Sequence, residues 1–461
     1  MIKFIDLFAG TGGIRLGFEQ ACRKFNLKTE CVFSSEIDKN ACASYQLNFG
    51  ENPFSDITKI EEIPSFDFML AGFPCQSFSY AGKRKGFGET RGTLFFEVER
   101  LLSKYKPKGF LLENVRGLTT HDEGRTFETI IQSLTKIGYS VNYLLLNSSN
   151  FGVPQNRVRI YILGTLQEPI TMTLQSDVGA ADSHKFKEQN GQFSLFSEPK
   201  NIRVVKDVLE KKFPEKYECT ADFVNRLKNV IGEDLSKLNG YRLIDYRGGQ
   251  AIHSWELGIK GECSKAEIGF LNLLIGNRRK KTFGVHQDGK SLTKQQISTF
   301  YKEKDLDIIL NSLVNKGYLS CNEEKYNPVA GNMSFEVFKF LDPESISITL
   351  TASDTNRLGI IQNGKARKLT PRECARLQGF PDTYKILEND NAVYKQMGNA
   401  VSVPVIEAVI SDLIECNNVF SEIKNVKVKH PLVEYRMPMI EQKIRFTKDI
   451  INLKTPTSTK H

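Results

Sequence analysis

The chain has 461 residues, 40% hydrophobic and 25% charged, so it can bury a large core and should hold more than one domain. Its formal net charge of +9 suits a polyanionic partner. No apolar run is long enough to span a bilayer, no secretory signal is evident, and the nine cysteines include no Cys-x-x-Cys pair, so a reducing, cytoplasmic setting without a membrane is expected.

In chain order, Ile2 to Leu7 reads as a strand, followed by the glycine turn Phe8-Ala9-Gly10-Thr11-Gly12-Gly13. Ile14, Phe18, Ala21, Cys22 and Phe25 then recur at helical spacing. Strand, glycine turn and helix open a nucleotide-binding α/β sheet, where glycines allow close backbone approach and a helix N-terminus favours negative charge. The dinucleotide fingerprint is incomplete, because Arg15 occupies the place of its third glycine. Glu36 ends the run Cys31-Val32-Phe33, where a carboxylate can take ribose hydroxyls, and Asp56 lies near the end of a third short run. A solvated surface carboxylate is an equal alternative for each.

Phe66 to Ala71 reads as a buried strand that delivers Gly72-Phe73-Pro74-Cys75-Gln76-Ser77. A cysteine just past a strand end suits a nucleophile, and Cys75 is the candidate to attack a nucleic-acid base. The loop to Gly92 carries Lys83, Arg84, Lys85 and Arg91 among glycines, so it can close and grip phosphates. A helix follows from Leu94, and the strand Gly109 to Leu112 ends in Glu113-Asn114-Val115. Tyr143 to Leu146 and Val158 to Leu163 are two more strands, with Gln155-Asn156-Arg157-Val158-Arg159 between them. Alternation puts Arg157 and Arg159 on one face, converging with Cys75 and Glu113 on one rim.

These segments, with Arg367 to Asp382 and Gln396-Met397-Gly398-Asn399-Ala400-Val401, resemble in order the motifs of the bacterial cytosine-5 DNA methyltransferases, the modification partners of restriction systems. The resemblance covers roughly residues 1–165 and 367–410. It implies an α/β, Rossmann-like sheet dependent on S-adenosylmethionine, with a second, smaller target-recognition domain. By that likeness Phe8 stacks on adenine, and Gly10, Thr11, Gly13 and Pro74 lie along the cofactor. Glu36 holds its ribose, Ile37, Asp56 and Ile57 frame the adenine, and Leu94, Asn399 and Ala400 close the pocket. Ile37 stands where some members have tryptophan, and Ala400 replaces a frequent serine.

The residues suit the chemistry. Cytosine C5 becomes nucleophilic only after a thiolate adds at C6, so Cys75 attacks, Glu113 donates at N3 and accepts from the N4 amino group, Arg159 serves the O2 side, and Arg157 stabilises the site. Glu113 needs a raised pKa for this role. The target base must be flipped from the duplex.

The middle of the chain is expected to choose the sequence. Arg247, Gln250 and His253, beside the only tryptophan, Trp255, can reach base edges, or the stretch is a hairpin beside a core tryptophan. Arg278-Arg279-Lys280-Lys281 can hold phosphates or end a solvated helix. Two helices, the second carrying Leu306, Ile309, Leu310 and Leu313, precede Gly317-Tyr318-Leu319 and resemble half of a winged helix, which either reads DNA or packs as an insert. Thr349 or Thr351 is the counterpart of a family threonine near the flipped base. The expected division is a catalytic domain at 1–165 and 395–416, a target-recognition domain at 166–366, a hinge at 367–394 and a basic tail at 417–461. Duplex DNA is the expected partner of a monomer in the bacterial cytosol, associated with the nucleoid through that DNA. A cognate restriction endonuclease acts separately, and no metal is expected. The alternatives are a tRNA-methylating relative and a catalytically silent DNA-binding protein.

Overall fold

The computed structural model describes residues 1–74, 94–166, 169–177, 203–245, 251–284, 290–329, 335–417 and 419–420. Its first strand, β1 (Ile2–Leu7), lies in a six-stranded sheet with β2 (Thr29–Ser35), β3 (Phe68–Ala71), β4 (Gly109–Val115), β5 (Ser140–Asn147) and β6 (Val158–Thr165), in the order β2-β1-β3-β4-β6-β5. The first four of these are parallel, and β6 runs antiparallel to both of its neighbours. Every residue of β3 is buried, as a strand covered on both faces requires. On one face Phe18, from α1 (Gly13–Lys24), packs against Phe4 and Phe68. On the other, Ile5, Leu7, Met69 and Leu112 join Phe95, Val98 and Leu101 of α3 (Leu94–Tyr105) and Phe127, Ile130 and Leu134 of α4 (Arg125–Lys136). Between β2 and β3, α2 (Lys39–Phe49) is capped by Asp38, whose carboxylate accepts the Asn40 and Ala41 amides.

Beyond residue 203, α5 (Ala221–Ile231) packs over a five-stranded sheet of β7 (Arg242–Leu243), β8 (Ala251–Ile252), β12 (Lys339–Phe340), β13 (Leu358–Gln362) and β14 (Lys365–Lys368), ordered β14-β13-β12-β7-β8. Inserted between β8 and β12 is a smaller body with its own apolar core. It comprises α6 (Lys265–Asn277), β9 (Leu292–Thr293), α7 (Lys294–Ile297), α8 (Leu306–Asn315), β10 (Leu319–Asn322) and β11 (Lys325–Pro328). After β14, α9 (Pro371–Leu377) and α10 (Asp390–Asn399) lead to α11 (Val403–Cys416), which returns to lie against α1. The approach is close: a Cβ on Gly17 would stand 2.8 Å from the Val403 carbonyl oxygen. Although Asp390–Cys416 is apolar and long enough to cross a membrane, most of it is buried within the fold.

The expected division at residue 366 falls inside β14, and residues 1–420 form one unit. Val205, Val208, Leu350 and Leu358 share a core with Leu369, Met397 and Val403. The expected hinge begins at a rigid point. Arg367 and Glu373 are fully buried and paired at 2.6 Å, and Glu373 also accepts the Thr370 and Glu210 amides. The tail at 421–461 lies outside the described residues.

Two expectations follow. Arg367→Met should destabilise the protein by about 3–5 kcal/mol, because it strands the Glu373 charge in the core. Chemical denaturation of the variant against wild type measures this. Asp6 is fully buried; burial, opposed by the Arg15 charge and the Tyr45 hydroxyl, pushes its pKa up to about 8. The folded state therefore holds a proton that the unfolded chain releases above about pH 4. Stability drawn from this group is complete below that pH and is lost as pH rises toward 8, by at most about 1.4 kcal/mol per unit. Asp6→Asn should fold, and its stability relative to wild type should grow between pH 5 and 8.

Candidate functional site

The glycine turn forms because Phe8, Gly10 and Gly12 all take positive φ (54°, 54° and 79°), a region that costs an L side chain energy but not glycine. Phe8 is held there with its side chain against the core above α3. Glu36 holds the turn from the next strand. Its Oε2 accepts the Gly10 amide at 2.8 Å, and its Oε1 accepts the Ile37 and Asp38 amides at 2.7 and 2.8 Å. Three of roughly four acceptor positions are thereby used, leaving about one for an incoming hydroxyl rather than the two expected. Ile57 is buried beside this edge, Asp56 caps the Thr58 amide, and Ile37 is 67% exposed. Thr11 is buried, and its carbonyl accepts the Tyr384 hydroxyl at 2.6 Å. A Cβ on Gly13 would crowd Val401 at 3.0 Å, so the last motif returns to this turn. Asn399 is exposed, Ala400 and Leu94 are half-buried, and Pro74 is exposed.

Arg15, which breaks the dinucleotide fingerprint, is a strut. Its guanidinium grips Glu51 through two hydrogen bonds (2.9 and 3.0 Å), reaches Glu19 and the Tyr45 hydroxyl, and lies over the Phe49 ring. It ties α1 to α2 beneath the turn.

Glu113 and Arg159 meet on adjacent strands. In the β4–β6 register Arg159 stands opposite Val115. Arg159 Nε lies 3.3 Å from Glu113 Oε1, with the side chains only 13% and 12% exposed. Burial pushes the Glu113 carboxyl above the usual range, and the Arg159 and Arg157 charges oppose that without cancelling it. The neighbouring Asn114 Nδ2 donates to the Phe73 carbonyl at 2.9 Å, and Glu113 Oε2 would lie 3.7 Å from a Cβ on Gly72. The end of β4 thus abuts the segment that leads to Cys75, a nucleophile candidate outside the described residues. Asn114 was not foreseen as a site residue; its place directly after the glutamate was the available signal.

Arg157 departs from expectation. It precedes β6, is 2% exposed, and points its guanidinium at the carbonyls of Leu350 (2.9 Å) and Ala400 (2.6 Å). It joins the strand that carries Arg159 to the last motif. Gln155 works beside it. Its Oε1 accepts the Leu350 amide, and its Nε2 donates to the Leu377 carbonyl and to Gln378 Oε1. Gln378 in turn donates to the Met397 carbonyl at 2.6 Å. Of the two candidate threonines, Thr349 donates to the Asn156 carbonyl, while Thr351 is exposed beside Ser353.

Two residues expected to meet DNA are part of cores. His253 is 6% exposed, stacks on Trp255 with ring centroids 4.5 Å apart, and bonds Glu256 through Nδ1, because the tryptophan beside it belongs to an apolar cluster. Arg278 is 4% exposed and donates to Asn327 on β11 at 2.7 Å. Arg279 is exposed. Lys83, Arg84, Lys85, Arg91, Arg247 and Gln250 lie outside the described residues. Among the described residues no cluster of three or more His, Cys, Asp or Glu could hold a metal ion.

Comparison with known proteins agrees with this geometry. A family model of C-5 cytosine-specific DNA methylase matches residues 2–415. Type II methyltransferase M.BanI of Aneurinibacillus aneurinilyticus is 63% identical over 429 residues, which cover 93% of this chain and 99% of that protein. Type II methyltransferase M.HgiCI of Herpetosiphon aurantiacus is 61% identical over 415 residues, 90% of this chain and 98% of that protein. The crystal structure of S. pombe Dnmt2 methyltransferase, 17% identical, superposes with a TM-score of 0.51 over 90% of this chain and 99% of that one, a likeness of fold. The matched span takes in the whole six-stranded sheet and the α11 helix that returns to it, and the chain belongs to the C-5 cytosine-specific DNA methylases, as a type II DNA cytosine-5 methyltransferase.

Proposed function

We propose that the protein moves a methyl group from S-adenosylmethionine to C5 of a cytosine flipped out of a specific short duplex sequence, through a covalent bond between Cys75 and C6, and so protects that DNA from a cognate restriction endonuclease. The observation that carries this reading is a buried carboxyl with a raised pKa, Glu113, paired with Arg159 at the strand edge that abuts the approach to Cys75.

The residues of the turn fit an adenosine-bearing cofactor. A positive-φ glycine turn gives close backbone access, Glu36 retains acceptor capacity for a ribose hydroxyl, and buried Ile57 with half-buried Phe8 supplies apolar surface for the adenine. Thr11, Gly13, Ile37, Asp56, Pro74, Leu94, Asn399 and Ala400 complete this pocket in the proposal. When bound, the sulfonium supplies an electrophilic methyl group.

The protein's own groups prepare the base. The Cys75 thiolate adds at C6, forming a C–S bond and moving the ring electrons toward N3 and C5. Glu113 places its proton at N3 and accepts from the N4 amino group. Arg159, held against Glu113, presents its remaining donors to O2. As C5 bonds the methyl carbon, that carbon's bond to the donor sulfur breaks and leaves a neutral thioether; a base then removes the C5 proton, the C5–C6 double bond re-forms as the thiolate leaves, and N3 returns its proton to Glu113. Arg157 acts through position, holding Leu350 and Ala400 around β6. Residues 166–366 form the target-recognition region, and Lys83, Arg84, Lys85, Arg91, Arg247, Gln250 and Arg279 contact DNA. The enzyme works as a monomer where bacterial DNA lies, in the cytosol.

On duplex DNA with 5-fluorocytosine at the target position, found first by bisulfite sequencing, wild type with S-adenosylmethionine should form a covalent adduct stable to denaturation, and Cys75→Ser should form none. No wild-type adduct would sink the covalent route. Glu113→Gln should lower kcat by about 10²–10⁴-fold. Because its raised pKa keeps Glu113 protonated to higher pH, the wild-type rate should decline on the alkaline side through a pKa above the ordinary carboxylate range. Glu113→Gln should lose that limb, which rate measurements across pH will show.

A further inference from the structure

The inserted body between β8 and β12 is a complete winged helix, where the sequence suggested half of one. Its order is helix, strand, helix, helix, strand, strand, and its antiparallel sheet runs β10-β11-β9. Leu306, Ile309, Leu310 and Leu313 of α8 face the core with Phe270, Leu271 and Leu274 of α6. The opposite face of α8 is open. Ile308 is 73% exposed, more than any other large hydrophobic side chain among the described residues, and Asn311 and Asn315 follow it at intervals of three and four. Such spacing places all three on one side of a helix. Asp307, the carboxylate beside them, is paired with Lys294 at 2.5 Å.

Charge gathers at one end of this face. Glu267, in the first turn of α6, binds Ser312 and Lys316 at the far end of α8, at 2.6 and 2.8 Å. The C-terminal end of α6 therefore lies toward the start of α8. There Phe283 meets Phe300, in the turn between α7 and α8, with ring centroids 6.1 Å apart. Arg279, Lys280 and Lys281 are exposed at this end, and Lys290 folds onto it, donating to the Lys280 carbonyl at 2.8 Å. The turn adds exposed Lys302 and Lys304, with Glu303 as the one acid between them. Arg279, Lys280 and Lys281 make no ion pair with a carboxylate among the described residues. The wing turn carries Glu323 and Glu324, both exposed, and so suits phosphates poorly.

We infer that this winged helix is a DNA-reading element that lays α8 in the major groove, with Arg279, Lys280 and Lys281 on the flanking phosphates and Ile308 and Asn311 at base edges. The inference rests on the DNA-methylating reading above and deepens it. A basic cluster at the start of a helix positions the duplex but carries no sequence information. An asparagine amide can bond adenine N6 and N7, and an isoleucine can pack on a thymine methyl. The first turns of a recognition helix are those that reach bases. Charge complementarity commits the face to duplex DNA, since an apolar protein partner would gain nothing from the basic end.

The test uses full-length protein, with methyl transfer to plasmid DNA measured over a range of salt and the modified sites read by bisulfite sequencing. All substitutions are at exposed positions, and thermal denaturation confirms that each variant is folded. The combined Arg279→Ala, Lys280→Ala, Lys281→Ala variant should raise the KM for DNA about 10-fold or more and flatten the log–log salt dependence by about 2–3. Its sequence context should not change. The combined Ile308→Ala, Asn311→Ala variant should instead relax the context at one or two positions, since a lost base contact is worth about 1–3 kcal/mol. Wild-type salt slope and context in both variants would overturn the inference while leaving the methyltransferase reading intact. So would a change in solution mass on Ile308→Ala with unchanged context, which would make the face a protein interface. A wild type that methylates no DNA overturns both.

Discussion

A buried guanidinium without a carboxylate holds this site together. Arg157 is buried, and its two terminal nitrogens donate to the carbonyls of Leu350 and Ala400, nearly two hundred and more than two hundred residues away in sequence, while its Nε has no hydrogen-bond partner among the described residues. A charge removed from water must be compensated, and carbonyl dipoles do so only where the chain brings them within hydrogen-bond reach. The arrangement therefore constrains three segments at once: the entry to β6, the segment at 347–350, and the end of α10. Gln155 and Gln378 extend the same constraint into the core behind them. Two residues beyond Arg157, Arg159 is delivered to Glu113, so the geometry of the Glu113–Arg159 pair depends on an arginine whose own guanidinium is turned to backbone carbonyls.

The glycine turn obeys a related rule. Glu36 fastens the glycine turn through the Gly10 amide before any ligand arrives, and Tyr384 fastens it from behind through the Thr11 carbonyl. Arg15 braces the helix below. The turn is thus held from three directions by groups on different elements. This pre-organisation lowers the entropic cost of binding, because the loop is already ordered.

Much of this was legible in the primary structure. Apolar runs marked all six strands of the large sheet, most plainly β3 and β4 at its centre, because a strand buried on both faces must be apolar. Glu36 and Glu113 stood out as carboxylates at strand ends. His253 and Arg278 did not behave as their residue types suggested. Each stands beside an apolar run, yet only the folded chain shows that His253 stacks on Trp255 and that Arg278 turns to Asn327. Arg157 takes a direction that alternation does not give, for a different reason. Strand alternation does not apply to a residue just before its strand begins, and β6 starts at Val158.

By itself, the sequence determined the elements, the order of the motifs and the residue types available for chemistry, since these depend on local spacing and on the side chains present. Tertiary structure alone decided which polar groups are buried. It gave Glu113 its raised pKa, set Arg157 to work on backbone rather than substrate, carried the winged helix to completion and left one face of α8 open. The physical reason is that desolvation and long-range hydrogen bonding depend on which distant segments are packed together, and no local pattern encodes that.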